Sequence, residues 1–110
     1  MPIIGDIGRN QLIASFKCKE TRKIWNRQFS KKFPPEIQAR VRRKFIAINI
    51  SESVADLKIP PSNCLEALKD DRKGQYSIRI NNQWRICFEW KDGNAYHVEI
   101  VDYHLRRHNG

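Results

Sequence analysis

The chain is poor in the residues on which many small domains rely. It has three histidines and three cysteines among 110 residues, and no apolar run near the roughly 20 residues that a bilayer-spanning helix needs. Cys18, Cys64 and Cys87 are an odd number with no metal-ligand spacing, which argues against a disulfide framework and a metal site alike. The first residues, Met1-Pro2-Ile3-Ile4-Gly5-Asp6, have neither the basic start nor the apolar centre of a secretory signal. A reducing cytoplasm is therefore the expected compartment. No internal repeat or low-complexity tract is present.

What the chain does have is enough apolar material for one core. Forty per cent of its residues are hydrophobic and eleven are aromatic. A domain of this length buries roughly 60–70% of its unfolded surface. The net charge is +9, and it is concentrated. Residues 17–44 hold eleven Lys or Arg against Glu20 and Glu36, so the rest of the chain is balanced. A basic block of this kind suits an acidic partner, either nucleic acid or an acidic protein surface. It also suits a well-solvated helix pair, and charge alone does not choose.

Residues 1–11 show no periodicity and are expected to be a flexible N-terminal extension. Leu12-Ile13-Ala14-Ser15-Phe16-Lys17-Cys18 reads as a strand, with Ile13 and Phe16 in the core. Residues 19–29 are predicted to be helical, with Trp25 and Phe29 as an i, i+4 apolar pair. Pro34-Pro35 opens a second helix, in which Ile37, Val41, Phe45 and Ile48 form one apolar stripe. A connector over 51–63, with a helical turn near Val54-Ala55-Asp56-Leu57, leads to Cys64-Leu65-Glu66-Ala67-Leu68 and a charged turn, Lys69–Gly74.

Three period-two segments follow. Tyr76, Ile78 and Ile80 alternate with Ser77, Arg79 and Asn81. Trp84, Ile86, Phe88 and Trp90 alternate with Arg85, Cys87 and Glu89, and Tyr96, Val98 and Ile100 alternate with Ala95, His97 and Glu99. Asn81-Asn82-Gln83 and Asp92-Gly93-Asn94 supply the turns. The predicted fold is α+β: an N-terminal strand and two helices packed on a small, mostly antiparallel sheet that ends in a three-stranded meander. Arg79 and Arg85 are expected to stand together on the open face of that sheet.

Metal-free RNA cleavage needs a base for the 2′-hydroxyl, cations for the phosphorane and an acid for the leaving oxygen. His97 lies mid-strand and His108 in a basic tail. His104 follows Asp102-Tyr103 at the end of the last strand, where it is either a site residue or a solvated strand-end histidine. Lys69, Arg72, Arg79 and Arg85 are phosphate candidates, or else ordinary surface charge. Tyr103 at a strand terminus can stack on a base or donate its hydroxyl. Cys64 has no adjacent base and reads as a plain thiol.

The run Leu65–Asn81, then Gln83-Trp84-Arg85-Ile86, then Asp92-Gly93 and Val98-Glu99-Ile100-Val101-Asp102-Tyr103-His104, resembles the HigB group of toxins. These belong to the RelE/ParE superfamily of type II toxin–antitoxin systems. The resemblance is strong over residues 65–104, and Ser15-Phe16-Lys17 fits the family's first strand. It implies a RelE-like domain over 12–104, with 105–110 as a basic tail carrying Arg106 and Arg107.

The resemblance further implies a metal-independent, cofactor-free endoribonuclease, an mRNA interferase that cuts translated mRNA in the ribosomal A site. The adjacent 2′-hydroxyl attacks, leaving a 2′,3′-cyclic phosphate and a 5′-hydroxyl. His104 is then the general base or acid, Lys69 and Arg85 the transition-state cations, and Tyr103 a base-positioning or relay group. Asp102 orients its neighbours. Glu66 stands where some members carry a histidine, and a carboxylate there serves as base if burial raises its pKa. Asp70 replaces a common glycine. Arg72, Lys73, Arg79, Arg40, Arg43 and Lys44 are the expected RNA contacts. The implied partners are a HigA-like helix-turn-helix antitoxin, ribosomal RNA and mRNA, with operator DNA reached only through the antitoxin and no membrane. Two alternatives stay open: a ParE-like, non-enzymatic inhibitor of DNA gyrase, and an inactive toxin acting as its antitoxin's partner or corepressor.

Overall fold

The computed structural model describes residues 13–103. The expected N-terminal extension, the tail, and His104 and His108 lie outside those residues. Helix α1 (Lys19–Trp25) and helix α2 (Pro35–Ile50) precede a four-stranded antiparallel sheet. Its strands, β1 (Glu66–Ala67), β2 (Gln75–Arg79), β3 (Trp84–Lys91) and β4 (Asn94–Asp102), lie side by side in chain order. The fold is α+β and RelE-like. No helix among the described residues is long and apolar enough to cross a membrane.

Helix α2 follows its sequence closely. Pro35 sits at the first helical position, where its missing N–H costs nothing, and Ser51 closes the other end by donating its hydroxyl to the Ala47 carbonyl at 2.7 Å. Ile37, Val41, Phe45 and Ile48 are all buried against the sheet. Burying each such side chain contributes about 1.5–3 kcal/mol.

Helix α1 is shorter than predicted. It ends at Trp25, and Arg27, in the left-handed region at φ 66°, turns the chain away. Phe29 is left 60% exposed, so the expected Trp25–Phe29 pair does not form. Trp25 packs instead against Phe16 and Phe45, with ring centroids 6.5 and 6.3 Å apart.

The predicted first strand is an extended segment rather than a full strand. It meets β4 in parallel through two bridges, Ile13↔Ala95 and Phe16↔Val98. Ile13 is buried and Phe16 packs on the core, as their spacing suggested. The 51–63 connector contains 3₁₀ turns at Val54–Lys58 and Pro61–Asn63.

The meander departs from strict alternation in two places. Between the pairs Cys87↔Glu99 and Glu89↔Tyr96, β4 carries one residue more than β3, with His97 at φ 53°. This bulge reverses the faces beyond it. Ala95, not Tyr96, therefore lies in the core, while Tyr96 stands opposite Glu89. Secondly, the face opposite the helices is not open at its centre. Ser77, Arg85 and Cys87 are buried there.

Candidate active site

The covering of that second face creates the site. A row of register partners crosses the sheet from β1 to β4: Glu66, Ser77, Cys87 and Glu99. The charged turn after β1 includes a 3₁₀ turn, Asp70–Arg72, and lies against this row. Arg72 holds it there. Its Nη2 donates to Glu99 Oε2 at 2.9 Å, and Nε and Nη2 donate to Gln75 Oε1 at 3.1 and 2.8 Å. Lys17 adds a longer ion pair to Glu99, at 3.6 Å. Arg72, expected to contact RNA, is thus occupied within the fold.

Between this turn and the end of β4 lies an open cleft of about 520 Å³, lined by residues including Glu66, Leu68, Lys69, Asp70, Arg72 and Tyr103. Arg85 stands behind the Glu66 and Tyr103 walls. Its Nη2 is 3.8 Å from Glu66 Oε1, and its guanidinium carbon lies 5.3 Å from the centre of the Tyr103 ring, within cation–π range. The Tyr103 backbone is fixed by its N–H donating to the Gln83 carbonyl at 2.6 Å, and Gln83 Nε2 donates to Asp102 Oδ2 at 3.1 Å.

Four of the predicted catalytic residues therefore come together, Glu66, Lys69, Arg85 and Tyr103, and Arg72 shares the cleft wall. Asp102 ends β4 beside them, paired in register with Trp84. Arg85 is not the exposed cation expected, because its chain is drawn inward by acceptors that the sequence does not advertise. Its Nε donates to Ser77 Oγ at 2.9 Å and its Nη2 to the Cys64 carbonyl at 2.6 Å. Arg79 is its cross-strand partner in register, but its guanidinium is turned to Asn82 in the following turn. Lys73 is exposed and outside the cleft lining. Glu66 is not buried: 54% of its side chain is exposed.

The remaining cations form a separate surface. Arg40, Arg43 and Lys44 on α2 line a cleft of about 300 Å³ together with Asn63. Arg40 donates to the Ile80 carbonyl at 3.1 Å and Lys44 to Asn63 Oδ1. Burial, then the Arg40 and Arg43 charges, push the Lys44 ammonium below its ordinary pKa. Among the described residues no three His, Cys, Asp or Glu side chains gather as a metal-binding group.

Chemically, the first cleft has a fixed guanidinium behind its wall, and an exposed ammonium, a half-exposed carboxylate and a phenol around one open volume. That set suits an anionic substrate with a transferable proton.

Residues 14–104 match the family described as RelE-like toxin of type II toxin–antitoxin system HigB. Toxin HigB-1 of Vibrio cholerae is 40% identical over 62 residues, covering 56% of this chain and 65% of that protein, so the match falls just short of two thirds of its length. Endoribonuclease HigB of Proteus vulgaris is 30% identical over 93 residues, covering 84% of this chain and all of that protein. The crystal structure of YafQ from E. coli strain BL21(DE3) superposes with a TM-score of 0.58 over 88% of this chain and 98% of that one, at 11% identity, a likeness of fold alone. The chain belongs to the HigB-like family of RelE-like toxins of type II toxin–antitoxin systems.

Proposed function

We propose that this toxin is a metal-independent endoribonuclease and that the Glu66–Lys69–Arg85–Tyr103 cleft is where it cuts. The observation that carries this reading is the buried Arg85 guanidinium, set behind the cleft between a carboxylate and a tyrosine ring. The name of the Proteus vulgaris relative, an endoribonuclease, supports it.

In this reading a phosphodiester lies across the cleft with its 2′-hydroxyl toward Glu66. Glu66 takes the hydroxyl proton as the oxygen attacks phosphorus. Lys69 and Arg85 stabilise the charge that grows on the non-bridging oxygens, where a pre-aimed cation is worth most. The P–O5′ bond breaks, leaving a 2′,3′-cyclic phosphate, and the 5′ oxygen takes a proton from His104. Tyr103 positions the adjacent base, and Asp102 holds the strand end. Either His104 or Glu66 can serve as base. Its place on the cleft wall, 3.8 Å from Arg85 Nη2, favours Glu66.

The substrate is mRNA on the ribosome, in the A site, so that cleavage stops translation and growth. The Arg40, Arg43 and Lys44 surface faces ribosomal RNA, where phosphate contacts position the enzyme without reading sequence. A HigA-like helix-turn-helix antitoxin neutralises the toxin and brings it to operator DNA. The test is cleavage of mRNA on programmed ribosomes, with analysis of the product ends. A cyclic phosphate and a 5′-hydroxyl are expected, with loss of at least about 10²-fold for Arg85→Ala. Intact mRNA under growth-arresting concentrations, with inhibition of gyrase supercoiling instead, overturns the reading.

A further inference from the structure

Arg85 is the one lysine, arginine or carboxylate among the described residues whose side chain is buried within the fold. Burying a guanidinium is unfavourable unless its donors are met. Its partners account for only one side of the group. Nε donates to Ser77 Oγ at 2.9 Å, and Nη2 donates to the Cys64 carbonyl at 2.6 Å and, at 3.3 Å, to the Ser77 carbonyl. Nη1 has no hydrogen-bond partner among the described residues, yet it is not sealed in. The one fully buried side-chain nitrogen or oxygen without a partner there is Arg42 Nε.

Ser77 is itself unusual. It sits in mid-strand with 0% exposure, between Glu66 on β1 and Cys87 on β3, a place that suits a β-branched or aromatic side chain. Its hydroxyl accepts a hydrogen bond from Arg85 Nε. The Cys64 carbonyl is turned to Arg85 by a left-handed backbone at φ 47° and ψ 54°. Two backbone segments and one hydroxyl therefore fix a side chain that would otherwise sample many rotamers.

We propose that Ser77 is a positioning residue of the cleft: through Nε and Nη2 it aims the Nη1 edge of Arg85 at the non-bridging oxygens of the scissile phosphate. The inference rests on the proposed RNA cleavage, and Ser77 itself touches no substrate. Its hydroxyl acts on the rate because a guanidinium displaced by about 1 Å from its target forfeits on the order of 10²-fold.

The test is a double-variant cycle on cleavage of ribosome-bound mRNA, using full-length Ser77→Ala, Arg85→Ala and the pair. Each protein is first matched to wild type in helical content and antitoxin binding. Ser77→Ala is expected to lower kcat about 10–100-fold with KM changed less than about threefold. In the Arg85→Ala background the same change is expected to cost less than about twofold, because the group it aims is gone. Ser77→Thr, which keeps the hydroxyl, is expected to recover most of the rate if it folds. Equal losses from Ser77→Ala in both backgrounds would assign it a structural role and overturn the inference. So would wild-type cleavage by Ser77→Ala beside an inactive Arg85→Ala, which leaves the cleft itself intact. Wild-type cleavage by Arg85→Ala overturns the cleft reading as well.

Discussion

Arg72 and Glu99 meet across the covered face of the sheet, with Nη2 2.9 Å from Oε2 and about one fifth of each side chain exposed. The pair joins the turn that follows β1 to the far strand, and Lys69 stands at the start of that turn. Partial burial makes it stronger than an open surface pair, which is worth about 0–1 kcal/mol. A cycle of Arg72→Gln and Glu99→Gln, measured by urea unfolding, should give a coupling of about 1 kcal/mol. The single variants should also cleave more slowly, because Lys69 loses its support. Additive stabilities with unchanged cleavage would show that the turn is held by other contacts.

Asp70 opens the same turn at φ 57°, a conformation that glycine adopts without a Cβ penalty. Asp70→Gly should leave stability unchanged or raise it by up to about 1 kcal/mol, relief of strain outweighing the extra freedom of the unfolded chain. It also removes a negative charge beside Lys69, so RNA should bind more tightly and the gain should shrink with added salt. Weaker binding in a titration at low salt would argue that Asp70 contacts the substrate.

Lys44 predicts a pH effect. Burial and the nearby Arg40 and Arg43 hold its pKa below 10.5 in the folded chain. Between the folded and unfolded pKa values the unfolded chain binds more protons, so stability contributed at this position rises with pH through that window. Below the folded pKa the cost of the charge is fully present. In an NMR titration of the lysine side chains, Lys44 should titrate ahead of the exposed lysines, and Arg43→Gln should move it upward. A downward move would mean that Arg43 is not among its causes.

Phe45 tests the packing. It is fully buried in the middle of α2 and meets Phe16 edge-on at 5.7 Å and Trp25 at 6.3 Å. Phe45→Ala should cost about 3–5 kcal/mol in denaturant unfolding, enough to unfold a marginal domain of this size. A loss below about 1 kcal/mol would contradict the described core.

The parts of this fold that were legible in the sequence are those set by local period. The Ile37–Ile48 stripe of α2 and the core face of β2 and β3 follow from spacing alone, since each residue's face is decided by its neighbours. Tyr96 was misplaced because one extra residue at His97 reverses the alternation, and a bulge leaves little trace in composition. Phe29 departs from the predicted pair because α1 ends at Trp25, and Arg27 turns the chain without a glycine or proline to announce it. In the candidate site, Glu66, Lys69, Arg85 and Tyr103 were all visible as charged or aromatic groups near strand ends. Ser77 was not, although the Arg79↔Arg85 register places it diagonally across from Arg85. The Cys64 carbonyl had no signal to give, being backbone. The Arg72–Glu99 pair leaves no mark in the local pattern, because the two residues lie 27 positions apart in the chain.

The most direct measurement is a map of mRNA 5′ ends in cells expressing the wild-type toxin or Arg85→Ala from an inducible promoter, with the variant's binding to the antitoxin confirmed. Wild type should produce new 5′-hydroxyl ends in phase with codons inside translated messages as growth stops. The Arg85→Ala variant should produce neither the ends nor the arrest. Growth arrest by wild type without codon-phased ends, or equal cleavage by both proteins, would contradict the account.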